Sequence, residues 1–266
     1  MAIREEGRAE MGLQGWDWRG EAGAGQAEDE HTSGIMVFTP AESKRLIARA
    51  VVKMEPVRRA LEVGRVCVAG GTTDAYIVEE ITGQPVRKEL YIKGNITDGL
   101  LCSTRRSDEW IKPRSFVKGV MVDVEFAELL KDFEAGDVFI KGANAVDPEG
   151  NAGILLGGPM GGTIAGALGP VMARGSHLVM PVGLEKLIPS VPVAARKCGI
   201  KRLRYPAGGT VGMMPVVGAT VVTEIDALRI LTGVQATHVA SGGVGGSEGS
   251  VILVVEGPDR LVQAAF

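Results

Sequence analysis

Two runs of this chain repeat one plan: a short apolar stretch breaks into paired glycines and a threonine, then continues with helical periodicity. They are VCVAGGTTDAYIVEEI (66–81) and ILLGGPMGGTIAGALGPVMA (154–173), and a further Gly-Gly-Thr stands at 208–210. Strand, glycine turn and helix in that order build an α/β sheet, whose parallel strands end along one edge and leave ligand crevices there. Glycine lets the backbone approach a ligand, and the first amides of the following helix offer donors and the positive end of a dipole. Gly70, Gly71, Thr72 and Thr73 in the first run are therefore expected to hold an anion, as are Gly158, Gly161, Gly162 and Thr163 in the second. Taken alone, each run also fits a tight turn with no ligand.

Between them lies DVFIKGANAVDPEG (137–150), an apolar strand that opens into polar residues. Lys141, Asn144 and Asp147 fall at or beyond its C-terminal end, where side chains of a parallel sheet meet the crevice. A lysine there neutralises an anion or polarises a carbonyl, an asparagine orients it, and an aspartate accepts from a hydroxyl. HLVMPVGLEKLIP (177–189) reads as another buried strand with a corner at Gly183, Glu185 and Lys186, and Lys186 is expected to reach the same crevice or to lie solvated in a short helix. A cationic segment, with Arg105, Arg106, Lys112, Arg114 and Lys118 around Trp110, reads either as a flap over an anion or as a solvated excursion.

Composition narrows the partners. With 29 basic against 32 acidic residues the chain has no global field to draw nucleic acid or an anionic membrane, so any anion must be bound locally. No stretch approaches the roughly 20 apolar residues of a membrane span. Cys67, Cys102 and Cys198 are widely spaced and odd in number, which suits neither a disulfide framework nor a paired-thiolate metal site and points to a reducing, cytoplasmic setting. No His, Asp or Glu spacing suggests a metal, and no cofactor is expected.

Residues 1–34 lack an apolar period and read as a disordered leader, in which Trp16 and Trp18 are either a docking motif or incidental. Order is expected from FTPAE (38–42), where Thr39 caps, Pro40 takes the first helical position and Glu42 closes a reciprocal box. The helix should run to about residue 62 with a kink or break at Pro56. Residues 35–190 form the main α/β domain on this reading. Residues 191–266 follow as a small α+β lobe, with a strand at Gly218–Thr223, a helix at Glu224–Leu231, strands at 235–241 and 250–257, and a terminal helix; this lobe is expected to be ferredoxin-like. His238 reads as a half-buried strand histidine with its hydrogen bonds met.

The run 64–189 resembles the NagB/RpiA/CoA-transferase-like superfamily. VCVAGGTTDAYIVEEI is similar to the first sugar-phosphate loop of ribose-5-phosphate isomerases and of DeoR-type sensor domains, DVFIKGANAVDPEG to their second acidic strand end, and GGPMGGT with Leu184, Glu185 and Lys186 to the following glycine loop and strand-end lysine. The resemblance implies a Rossmann-like, mostly parallel sheet with helices on both faces, a sugar-phosphate or related anionic ligand, and, since relatives often dimerise, a homo-oligomer. The chain departs from the pattern where the isomerases carry Asp-Gly-Ala-Asp-Glu: here stand Lys141, Gly142, Ala143, Asn144 and Ala145. The carboxylates that would move a proton are missing. A CoA transferase would need a nucleophilic glutamate, for which only Glu248 has glycine-rich company, and a DeoR repressor would need a helix-turn-helix that residues 1–63 do not suggest.

Two functions follow. One is an isomerase- or transferase-like enzyme acting on a small phosphorylated or carboxylated metabolite, with Lys141 or Lys186 as electrophile and Asp147, Glu149 or Glu248 as proton carrier. The other is a metabolite-binding or sensor protein that kept the crevice and lost the acid and base.

Overall fold

The computed structural model describes residues 30–103 and 109–266. Trp16, Trp18, Arg105 and Arg106 lie outside the described residues. Along the chain the elements are β1 (His31–Phe38), α1 (Pro40–Lys53), α2 (Glu55–Val63), β2 (Arg65–Val68), α3 (Thr72–Thr82), β3 (Gly94–Thr97), β4 (Leu100–Ser103), β5 (Arg114–Val117), β6 (Val120–Val122), α4 (Phe126–Leu129), β7 (Val138–Ile140), β8 (Ala145–Val146), β9 (Ala152–Leu156), α5 (Gly162–Arg174), β10 (His177–Pro181), α6 (Val191–Lys197), β11 (Gly212–Val216), β12 (Thr220–Val222), α7 (Glu224–Thr232), β13 (Gln235–Gly242), β14 (Ser250–Pro258) and α8 (Asp259–Ala265). Among the described residues the fold is thus mixed α/β, with eight helices and a six-stranded, mostly parallel sheet.

That sheet has the order β12-β10-β7-β2-β5-β6, with the first four strands parallel and the hairpin β5–β6 added antiparallel to β2. Its strands are apolar on both sides, as strands covered on both faces must be. Val66, Val68, Val138, Ile140, Val179 and Val222 pack with Ile47, Val51, Val57 and Ile77 from α1, α2 and α3. Cys67, Phe139, Leu178 and Met180 face the other way, onto Leu129, Ile164, Ala167 and Val171 of α4 and α5. Seated among apolar residues, the Cys67 thiol is pushed up to about 12 by burial and is unreactive.

The local signals near the start of α1 are realised. Thr39 Oγ1 accepts from Glu42 N at 3.4 Å and Glu42 Oε2 accepts from Thr39 N at 2.9 Å, closing the box around Pro40. Met54 is extended, so Pro56 opens a new helix, α2, instead of kinking one. Three expectations are corrected. First, the strand β1 opens at His31, inside the stretch read as disordered leader, because β14 supplies partners for its whole length from His31↔Pro258 to Phe38↔Val251. Second, Arg114–Val117, read as part of a polar connection, is a strand of the main sheet paired with β2. Of the cationic residues read as a flap or a solvated excursion, Arg114 lies in this strand, Lys118 occupies the β5–β6 turn beside Gly64, and Lys112 pairs with Glu125. Third, β9 does not lie in the parallel sheet. It pairs antiparallel with β8 and β11 in a separate three-stranded sheet, so the two glycine openings do not share one edge.

Residues after 190 contribute to three sheets. β11 pairs with β9, β12 forms the edge of the main sheet, and β13 and β14 join β1 in a three-stranded antiparallel sheet backed by α7 and α8. No helix among the described residues is long and apolar enough to cross a membrane.

Tyr91 fastens the junction of β2 and β5. Its buried hydroxyl donates to Val68 O at 2.7 Å and accepts from Arg114 N at 3.0 Å. Tyr91→Phe leaves a buried carbonyl and a buried amide unmatched, and should lower unfolding free energy by about 1–3 kcal/mol in denaturant titrations.

Candidate active site

The four parallel strands β2, β7, β10 and β12 end on the same side, and the segments that leave them are tied together by side chains. Asp74, in the first turn of α3, turns back so that both carboxylate oxygens accept from Gly142 N, at 2.9 and 3.1 Å, joining the β2 and β7 ends. Lys186, in a 3-10 turn after β10, donates to Ala143 O at 3.1 Å and joins β10 to β7. Glu224, the first residue of α7 after β12, accepts from Leu184 N at 2.9 Å and joins β12 to β10. Lys141 sits among them, its own amide bonded to Val179 O at 3.0 Å.

The glycines of the first run serve this arrangement. A Cβ on Gly71 would stand 2.4 Å from Asp74 Oδ2, and one on Gly142 would stand 3.4 Å from Oδ1. Gly71 thus makes room for a protein carboxylate, where the sequence suggested room for a ligand anion. Gly70 allows close approach of the Tyr91 carbonyl, 3.0 Å from its hypothetical Cβ. Thr72 and Thr73 open α3, whose N-terminus has no side-chain cap; Thr73 is buried and Thr72 half-buried.

Electrostatics at these ends are governed by loss of water. Asp74 is fully buried, and desolvation pushes its carboxyl up to about 6 against the opposing pull of Lys141, the Gly142 amide and Lys186. Lys141 is only half-buried, but its ammonium is crowded by protein, which lowers its proton affinity while Asp74 raises it. Burial likewise lowers Lys186, with Glu185 opposing and Lys44 assisting. Burial raises the Glu224 carboxyl. The proton affinities of acids and bases therefore move toward each other.

The remaining expected site residues have other duties. Asp147 Oδ1 accepts from Asn151 N at 2.9 Å, and Oδ2 from Asn151 Nδ2 at 3.1 Å and Val191 N at 2.9 Å. Burial pushes it upward, but these donors outweigh burial and hold it below the usual carboxylate range, so it stays ionised and does not carry protons. It ties the β8–β9 turn to α6. Asn144 is exposed and accepts from Leu155 N at 3.0 Å, pinning β9 to the end of β7. Gly158, Gly161, Gly162 and Thr163 enter α5 from the separate β8-β9-β11 sheet, with Gly161 and Gly162 left-handed at φ 74° and 61°. No hydrogen bond among the described residues links that loop to Asp74, Lys141 or Lys186. Glu149 and Glu248 are exposed, and Glu248 accepts from Gly246 N at 2.9 Å. His238 Nε2 meets Ser241 Oγ at 2.8 Å. No group of three metal-ligating side chains occurs among the described residues.

Sequence reasoning thus named Lys141 and Lys186, which the fold brings together, and missed Asp74, Glu185 and Glu224. The signal for Asp74 was its place three residues after a glycine pair, and that for Glu224 its place at the junction of a strand and a helix. Comparisons with protein-family models, with curated proteins and with solved structures return no match for this chain.

A carboxyl that binds its proton more tightly in the folded state stabilises the fold while protonated. For Asp74 that contribution is complete below its ordinary value of 3.8 and is lost as pH rises through about 6. Asp74→Asn keeps an acceptor for Gly142 N without the titration. Its stability relative to wild type should therefore rise by up to ~3 kcal/mol across this window, read by denaturant unfolding at a series of pH values.

Proposed function

We propose that this chain is an isomerase- or transferase-like enzyme acting on a small phosphorylated or carboxylated metabolite, with Lys141 meeting the substrate and the Asp74 carboxyl behind it. The observation that carries this reading is the Lys141–Asp74 pair at the ends of parallel strands. Burial raises the acid to about 6 and lowers the base, and each charge acts on the other across the strand ends. Lys141 is the open member of the pair and Asp74 the closed one. With its proton, Lys141 binds an anionic oxygen or polarises a carbonyl, and the Asp74 charge behind it favours that protonated form. Lys186 adds a second cation to the same crevice. Asp74 answers the absence of carboxylates at 141–145, since a carboxylate reaches the β7 end from α3 instead.

The sheet order supports reading the main layer as a Rossmann-like domain of the NagB/RpiA/CoA-transferase-like kind. On the same reading the β1-β14-β13 layer with α7 and α8 is the ferredoxin-like lobe. The outer face of that layer, with Ile35 and Val37 about half exposed, supports a homo-oligomer. A second function, binding without turnover, is favoured by the complete closure of Asp74 to solvent.

Native mass spectrometry of ligand carried through purification, followed by turnover and binding assays on sugar phosphates and small carboxylates, tests both. The enzyme reading expects a bound anionic metabolite that the protein converts. Lys141→Met should reduce turnover by about 10²-fold or more with the fold intact. Tight binders recovered chemically unchanged would establish the binding protein, and unimpaired turnover in Lys141→Met would remove Lys141 from the chemistry.

A further inference from the structure

Beside the crevice, two carboxylate oxygens have no donor. Glu185 Oε2 and Glu224 Oε1 each expose less than 1 Å² and accept no hydrogen bond. They share one place, since a Cβ on Gly183 would stand 1.8 Å from the first and 3.0 Å from the second. The lysines and the amide around them are committed elsewhere, and the Ser43 hydroxyl eases but does not cancel the burial of Glu224. Lys44, from α1, donates to Pro40 O at 3.1 Å and meets Glu185 through its other oxygen, Oε1, at 3.5 Å. Lys186 donates to Ala143 O and comes to 3.9 Å of that same Oε1. The Leu184 amide serves Glu224 Oε2, and the Ser43 hydroxyl lies against Glu224 without closing a hydrogen bond of its own. Asp74, the other charge bearing on Lys186, is a further acceptor.

A buried oxygen left in this way carries the full penalty of desolvation. Water or a metal ion would have to touch the oxygens, and both are closed to a sphere of that size. A proton needs no such room. We propose that Glu224 keeps a proton and donates it in a hydrogen bond to the Glu185 carboxylate, across the space that Gly183 leaves free of a side chain. Burial of Glu224 and the neighbouring Glu185 charge both act in that direction. Two carboxylates at such close quarters do not both ionise readily. The pair is a proton reserve next to Lys186, and its existence does not rest on the reaction assigned to Lys141.

The test is infrared spectroscopy of the full chain labelled with carboxyl-¹³C glutamate, which separates glutamate from the Asp74 signal. The wild type should show a protonated glutamic acid at pH values above the ordinary carboxyl range. The band should vanish in Glu185→Gln and in Glu224→Gln and persist in Asp74→Asn. A wild type with no such band, or a band that survives both glutamine substitutions, overturns the pair. Stability gives a second readout, because the amide of Glu224→Gln supplies a permanent N–H in place of the proton. Its stability relative to wild type should rise with pH between about pH 5 and 8; a flat difference across that range contradicts a protonated Glu224.

Discussion

The acceptance of one amide, Gly142 N–H, by one buried carboxylate, Asp74, is the constraint around which this crevice is organised. It joins the ends of adjacent parallel strands, and it depends on Gly71, where a Cβ would stand 2.4 Å from the carboxylate. An isolated carboxylate in such a place is strongly penalised by loss of water. A single amide is weak compensation, and the outcome is a carboxyl with an affinity for protons near neutrality. Lys141 completes the balance as the nearby cation that draws Asp74 back toward ionisation while being pushed toward neutrality itself.

Donor supply separates the acids of this fold into two groups. Asp137, before β7 at the opposite end of the sheet, is also nearly closed to solvent, yet it accepts from Arg65 N at 2.6 Å and Glu134 N at 2.7 Å and pairs with the Arg65 guanidinium at 3.4 Å. Asp147 accepts three N–H bonds. Both act as staples. At the C-terminal strand ends the supply falls: Asp74 draws on one amide, and Glu224 and Glu185 each leave an oxygen without a donor.

What the sequence disclosed follows from the range of the interactions involved. The Thr39–Glu42 box and the break at Pro56 are decided within a few residues, and both were legible. β1 was not, because its polar opening at His31–Gly34 becomes a strand only against β14, more than two hundred residues away in sequence. β5 was hidden for a similar reason: Arg114 and Ser115 look like loop, and only pairing with β2 makes them strand. β9 had the right local pattern for the main sheet and found partners elsewhere, since strand pattern specifies a pleated surface and not which sheet receives it.

The candidate site repeats that lesson in chemical form. Lys141 and Lys186 stood out as charges at the ends of apolar runs, a pattern visible in one dimension. Asp74 did not, because its neighbours Gly70, Gly71, Thr72 and Thr73 already suggested a ligand loop. Its position on α3 is nevertheless what allows it to reach Gly142 beyond the end of β7. There the Asp74 carboxylate is closed to solvent, while Lys141 at the end of β7 is only half-buried.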